Sequence, residues 1–445
     1  MRGVPARGLA RGDPLARAAP GVDDPPAAVG RRAARRRHGA RDRAAERRHR
    51  GGRRPRRRRA PRPRGRGRGR PAPLASGRPP VPGPGPRGAP VKRVLVLFGG
   101  RSSEHEVSCL SARSVLAAID RDRYEVLAVG ITRDGRWTLT DGDITTPPGR
   151  PLPEVDDAGP TVALVGTRGG PVLLRLDEDA PHRAKVLSGV DVVFPVLHGP
   201  FGEDGTVQGM LATVGVPYVG ADVTASSIGI DKAAMKATFA AKGLPQGPYV
   251  TVHQARHAAD PDGVVAELEG ALRYPVFTKP ARQGSSIGIS KVADRAGLAD
   301  AFAEAFRYDA VTVVEQGIDA PRELEVGVLG DDELQVTAPG EIRPSHEFYD
   351  FEAKYLDESE LVLPADVSPE LAARIDELAR AAYRAIGCRG MARVDFFLGA
   401  DGALVVNEIN TIPGFTPNSM FPRLWDAEGV GYPQLVDRLL GLALA

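Results

Sequence analysis

Within residues 391–410, two β-rich runs flank Asp401-Gly402, a dipeptide suited to a two-residue type I′ turn, so cross-strand partners should have numbers that sum to 803. That register sets Asp395 opposite Glu408 and Arg393 opposite Asn410. Strand side chains alternate faces, so these four polar groups share one face, while Val394, Phe396, Leu398, Val405 and Ile409 take the other. Two carboxylates directly opposite each other destabilise a sheet unless a cation lies between them, and an all-oxygen set of Asp, Glu and Asn suits Mg²⁺. The rival reading is a solvated strand face with incidental charges.

Other constellations point to phosphate chemistry. The loop Gly284-Ser-Ser-Ile-Gly288 offers flexible backbone N–H donors and the Ser285 and Ser286 hydroxyls, suited to wrapping a triphosphate, and Lys279 on the strand leading in can neutralise phosphate charge. A tight polar surface hairpin explains the same residues. The loop also fits the G-x-S-x-G nucleophile elbow, but an elbow passes from strand to helix, whereas Ile287 to Val292 continues as strand. Glu315 and Glu323 bracket Gly317 where one strand ends and the next begins, a place for carboxylates that accept from an adenine amine and ribose hydroxyls; as isolated residues they are equally surface acids. His198 beside Gly199 is a ligand, a general base or a structural loop histidine. Ser103, Glu104 and Glu106 favour the positive N-terminus of a helix. The loop 341–364, where Tyr349, Phe351 and Tyr355 alternate with Asp350, Glu352 and Lys354, has the length and aromatic content of a closing lid.

These residues need a scaffold of strands with ligand loops at their carboxyl ends. A buried strand from Arg93, a helix Ser108 to Asp120 and a strand Tyr124 to Ile131 form a β-α-β start. The stretch 133–185 resembles an inserted hairpin region. Strand Val190 to Leu197, the loop from His198 and a helix Thr206 to Val214 complete a doubly wound unit. A second unit holds a helix Lys232 to Lys242, the hairpin Tyr274 to Val292, a helix Gly297 to Arg307 and strands Val311 to Gln316 and Glu323 to Leu329. A helix Glu370 to Ile386, the acid-bearing hairpin and a terminal helix from Tyr432 follow.

Composition divides the chain. Residues 1–90 hold 27 Arg and 5 Asp or Glu, a balance of +22, which leaves −18 for residues 91–445 behind the overall +4. A folded part this acidic argues against nucleic-acid binding by the body of the protein. The Arg/Pro/Gly-rich segment 1–91 reads as disordered. It is a basic arm for nucleic acid, a linker, or translated sequence upstream of the true start, and the last is preferred because the arm has no aromatic residues for base stacking. Its Gly83-Pro-Gly-Pro-Arg-Gly88 is a decoy for a dinucleotide fingerprint, lacking both strand and helix. Cys109 and Cys388 lie far apart and read as buried hydrophobes in a reducing cytosol, and no apolar run is long enough to span a membrane.

Five motifs, in order, carry a resemblance: Gly99-Gly-Arg-Ser-Ser-Glu-His-Glu-Val-Ser108, Leu197-His-Gly-Pro-Phe-Gly-Glu-Asp-Gly205, Lys279-Pro-Ala-Arg-Gln-Gly-Ser-Ser-Ile-Gly288, Tyr349-Asp-Phe-Glu-Ala-Lys-Tyr355 and Asn407-Glu-Ile-Asn-Thr-Ile-Pro-Gly414. From residue 92 to about 443 the chain resembles the D-alanine:D-alanine ligases of the ATP-grasp superfamily, although Arg101 stands where the family often has Thr or Lys. The resemblance implies an α/β and α+β chain: a Rossmann-like substrate domain, 92–222, and ATP-grasp domains at 223–314 and 315–445. It implies ATP held by Lys232, Lys279, Ser285, Ser286, Glu315, Glu323 and Lys354, and two Mg²⁺ or Mn²⁺ ions on Asp395, Glu408 and Asn410. Glu104 and His198 would meet the first D-alanine, and Ser419 and Met420 the carboxylate of the second. Arg393 and the backbone near Gly414 would stabilise the oxyanion, while Ser285 and Tyr355 link to Glu104. Implied with these are peptidoglycan precursor synthesis, a cytoplasmic homodimer and, as alternative products, D-alanyl-D-lactate or D-alanyl-D-serine.

Overall fold

A computed structural model describes residues 91–147, 149–177, 179–180, 182–343 and 360–445. The segment 1–90, Lys354, Tyr355 and most of the expected lid loop lie outside the described residues.

The first strand, Lys92–Gly99, is buried from Val94 onward because it lies between two parallel neighbours, Tyr124–Ile131 and Val192–Val196, in a sheet edged by Trp137–Thr140. Helix His105–Ala118 packs on this sheet through Cys109, Ala112, Val115 and Leu116. The helix begins earlier than its sequence suggests, because Ser108 is not a cap: its hydroxyl sits under the strand ends, accepting from Gly99 N at 2.7 Å and donating to Val196 O. The region after residue 133 forms a three-stranded antiparallel sheet, Val162–Thr167, Gly170–Leu176 and Ala184–Gly189, more than the single hairpin expected.

Two antiparallel sheets follow. The smaller orders Ser290–Val292, Val276–Pro280, Val311–Gln316 and Tyr249–His253, and the last of these strands has no counterpart in the sequence reading. The larger runs Glu360–Val362, Gly340–Arg343, Arg322–Leu329, Met391–Leu398 and Leu404–Asn410, with Gln335–Val336 beside its central strand. Helix Pro369–Ala385 covers the larger sheet. Ser368 caps it by accepting from Leu371 N at 3.2 Å, Pro369 opens it, and Ile375, Leu378, Ala379, Ala382 and Tyr383 form its buried stripe at helical spacing. Among the described residues, no helix is long and apolar enough to cross a membrane. Cys109 and Cys388 are free and buried, and burial pushes both thiols up to about 12.

Candidate active site

A cleft of roughly 630 Å³ opens where the larger sheet, the smaller sheet and the loops of the first sheet meet. On its floor, Asp395 pairs with Glu408 and Arg393 with Asn410, the register required for shared polar groups. The two-residue turn does not form. Leu398 pairs with Leu404, and the connection from Gly399 to Ala403 closes with hydrogen bonds from Gly402 N to Gly399 O and from Gly399 N to Ala403 O, each 2.9 Å. This wider loop shifts the register by one, and a bulge at Asn407 shifts it back before the acids. Val406 therefore takes the core place expected of Val405, and Val405 pairs with Phe397 along the cleft.

A third acid joins the row. Glu325, on the central strand, is the ladder partner of Asp395, so Glu325, Asp395 and Glu408 lie abreast on three strands. Arg393 bridges the first two: its guanidinium is 2.9 Å from Glu325 and makes paired 2.7 Å bonds with Asp395. Burial alone would lower the Arg393 pKa, but the surrounding carboxylates raise it well above normal and keep it charged. Asn410 Nδ2 donates to Asp395 at 3.0 Å, and Lys232 Nζ lies 3.8 Å from Glu408. The oxygen-only donors of this row suit a hard divalent ion. Among the described residues, no group of three His, Cys, Asp or Glu side chains has metal-binding spacing, so two acids and an amide would need substrate oxygens or water to complete a shell.

Above this floor stand the lysines. Asp231 caps helix Lys232–Ala241, accepting from Ala233 N and Ala234 N, and thereby fixes Lys232 in the first turn, where its Nζ donates to Gln283 O at 2.8 Å. Lys279 Nζ is 3.1 Å from Glu315, and Lys236 Nζ approaches the other oxygen of the same carboxylate at 3.4 Å. Burial would raise the Glu315 pKa, yet the two lysines outweigh it and the net shift is downward, so the carboxylate is charged. Glu323 lines the cleft on the next strand. The loop between the strands of the 276–292 hairpin has left-handed backbone at Ser285 (φ 46°), Ser286 (φ 58°) and Gly288 (φ 71°). Two adjacent non-glycine residues in that region are strained, as anion-cradling loops often are.

The loop also reaches the first sheet. Ser285 donates to Glu104 Oε1, while Oε2 of this 5% exposed carboxylate has no hydrogen-bond partner. Glycines make room for it: a Cβ on Gly199 would come within 2.5 Å of Oε2, and one on Gly284 within 2.8 Å. Glu104 occupies the cap position of its helix but makes no capping bond. His198, 4% exposed, is held at both ring nitrogens, by Ser111 Oγ and Ile412 O, each at 3.2 Å. Burial lowers its pKa despite the nearby Glu104, so it is a neutral bridge between the first sheet and the 411–414 loop. Glu203 accepts from Gly199 N at 2.8 Å, and burial together with the charge of Glu104 raises its pKa. Across the cleft, Gly414 lies against Ser419, whose hydroxyl accepts from Thr416 N at 3.1 Å. The buried Met420 packs with Ile342 and Leu424 at the border of the cleft.

The cleft thus collects Glu104, His198, Lys232, Lys279, Ser285, Ser286, Glu315, Glu323, Arg393, Asp395, Glu408, Asn410, Gly414, Ser419 and Met420. Lys354 and Tyr355 lie outside the described residues. Lys236, Glu203 and Glu325 are additions. Lys236 had a signal: its i,i+4 spacing from Lys232 puts two like charges on one helix face, which a solvated helix disfavours. Glu325 was marked by its alternation with Glu323 on one strand.

A cleft with clamped lysines, a row of oxygen donors and a separate buried carboxylate fits the ATP-grasp class of ligase. The chain belongs to the D-ala D-ala ligase family: the family's N-terminal model matches residues 93–221 and its C-terminal model residues 238–441. Its relatives include the D-alanine--D-alanine ligase of Pseudarthrobacter chlorophenolicus, 49% identical over 80% of this chain and 95% of that protein. The ligase of the same name from a Mycobacterium species is 50% identical over 79% and 96%. Among solved structures, the VanG D-Ala:D-Ser ligase from Enterococcus faecalis superposes with a TM-score of 0.66 at 35% identity, covering 79% of this chain and 99% of that one. D-alanyl-alanine synthetase A from Vibrio cholerae gives 0.67 at 29%, covering 80% and 100%.

Proposed function

We infer that the protein is an ATP-dependent ligase that joins two D-alanines into D-alanyl-D-alanine for peptidoglycan precursor synthesis. The observation that carries this reading is Glu104. It is a buried carboxylate with one oxygen pinned by the phosphate-loop serine and the other unpartnered, and it lines the same cleft as the lysines and the acid row. An ammonium group on Oε2 would satisfy it and place the attached carboxylate toward the γ-phosphate of ATP. Lys232 and Lys279 would neutralise the phosphates, with the 284–288 loop, left-handed at Ser285, Ser286 and Gly288, over them.

The carboxylate of the first D-alanine attacks the γ-phosphorus, ADP leaves, and an acyl phosphate forms. The amine of the second D-alanine then attacks the acyl carbon, losing a proton as phosphate departs. Arg393, held rigid by Glu325 and Asp395, and the backbone near Gly414 stabilise the oxyanion, at about 3 kcal/mol per well-placed donor. Ser419, through its hydroxyl, and the Met420 N–H at the start of the helix Met420–Ala427 would receive the second carboxylate. Asp395, Glu408 and Asn410 would hold Mg²⁺ or Mn²⁺, two ions in the family pattern, which draw charge off phosphoryl oxygens. Cytoplasmic operation follows from ATP as substrate, and a homodimer is carried over with the family.

Purified protein with ATP and Mg²⁺ should release ADP and phosphate only when D-alanine is present. The same background with D-alanine, L-alanine or neither would refute the reading. D-serine and D-lactate, offered in competition, should lose to D-alanine as second substrate.

A further inference from the structure

Glu315 is clamped by two lysines that are not equivalent. Lys279 reaches it from the neighbouring strand at 3.1 Å, with its side chain 13% exposed to the cleft. Lys236 reaches the other oxygen at 3.4 Å from a helix, 2% exposed, with its ammonium 5.2 Å from the centre of the Tyr249 ring and its own carbonyl bonded to Gln246. Lys279 has the more open side toward the cleft; Lys236 borders the same cleft but is almost wholly buried. Burial favours loss of the Lys236 proton, and Glu315 opposes that loss.

We propose that Lys236 is a positioning residue for nucleotide binding, a fixed counter-charge that holds the Glu315 carboxylate toward the adenine amine once the triphosphate has drawn Lys279 away. The proposal rests on the ATP-ligase reading. It makes a distinction that ordinary core packing does not. Adenosine, without phosphates, leaves Lys279 on Glu315, so its binding needs Lys236 little; ATP removes Lys279 and needs Lys236 fully.

The test compares wild type with Lys236→Met, a similar length without charge, and with Lys236→Gln should the first variant fail to fold. Michaelis constants are measured for ATP and D-alanine, and adenosine is used as competitive inhibitor. Loss of one charge-assisted contact should raise the KM for ATP about tenfold or more. The kcat, the D-alanine KM and the adenosine inhibition constant should stay within about threefold. Glu315→Gln added to Lys236→Met should cost little more. An unchanged KM for ATP, or equal weakening of ATP and adenosine, overturns the proposal while wild-type turnover stands. Wild type without D-alanine-dependent ATP consumption overturns the functional reading itself, and this proposal with it.

Discussion

Replacing Glu104 by Gln tests the contact proposed for the substrate ammonium. Gln keeps an oxygen to accept from Ser285, so the tie between the phosphate loop and the first sheet survives. It puts an N–H₂ group where Oε2 stands unpartnered, between Gly199 and Gly284. The D-alanine ammonium then meets a donor instead of a carboxylate. A hydrogen bond to a charged group contributes about 1.5–3 kcal/mol, and each 1.4 kcal/mol is a factor of ten, so the KM of the first D-alanine should rise roughly 10- to 150-fold. Repulsion between two donors favours the upper end. Stability should hold or improve, since the change removes a buried charge with one unsatisfied oxygen. The assay is ADP release against D-alanine, fitted for the two amino-acid sites, with thermal melting in parallel. A first-site KM within threefold of wild type in a folded variant would refute the assignment of Oε2 to the ammonium.

Asp395→Asn should abolish turnover yet leave the far-ultraviolet circular dichroism unchanged, because Arg393 keeps Glu325 as a partner; full activity would reduce the hairpin to a charged strand face. Glu341, 4% exposed, has its pKa lowered chiefly by the hydrogen bond from Arg322, so the folded state releases that proton more readily than the unfolded. The pair therefore contributes above the unfolded value near about 4.3, and the contribution fades as pH falls through the folded value. In urea titrations Glu341→Gln should be less stable than wild type at pH 7 and converge with it as the pH falls through the folded value. Tyr383→Phe removes a buried 2.7 Å bond to Gly330 O and should cost about 1–3 kcal/mol in the same titrations, with kcat unchanged.

The elements that hold the site were legible where periodicity was strong. The strands Tyr124–Ile131 and Val311–Gln316 and the helix Thr206–Val214 stand where their apolar patterns put them. What escaped was set by distant partners. Tyr249–His253 is short and its residues are mostly half-buried, and it is a strand because Val311–Gln316 pairs with it. Ser108 looks like a helix start until the strand ends that it bonds are known. Glu104 likewise looks like a capping acid, and its link to Ser285 spans 181 positions. Asp395 and Glu408 were found opposite each other by a turn that does not exist, because a wider loop and a bulge cancel.

That cancellation separates two parts of one hairpin. Asn407 resets the pairing between the tip and the acids, and residues 400–403 are exposed, so the tip does not by itself dictate where Asp395 and Glu408 meet. The bulge works as a clutch between them. The far end of the hairpin is accordingly the place to graft a tag, an epitope or a reporter peptide, since added length there does not have to be accommodated by the strand pairs that carry the acids.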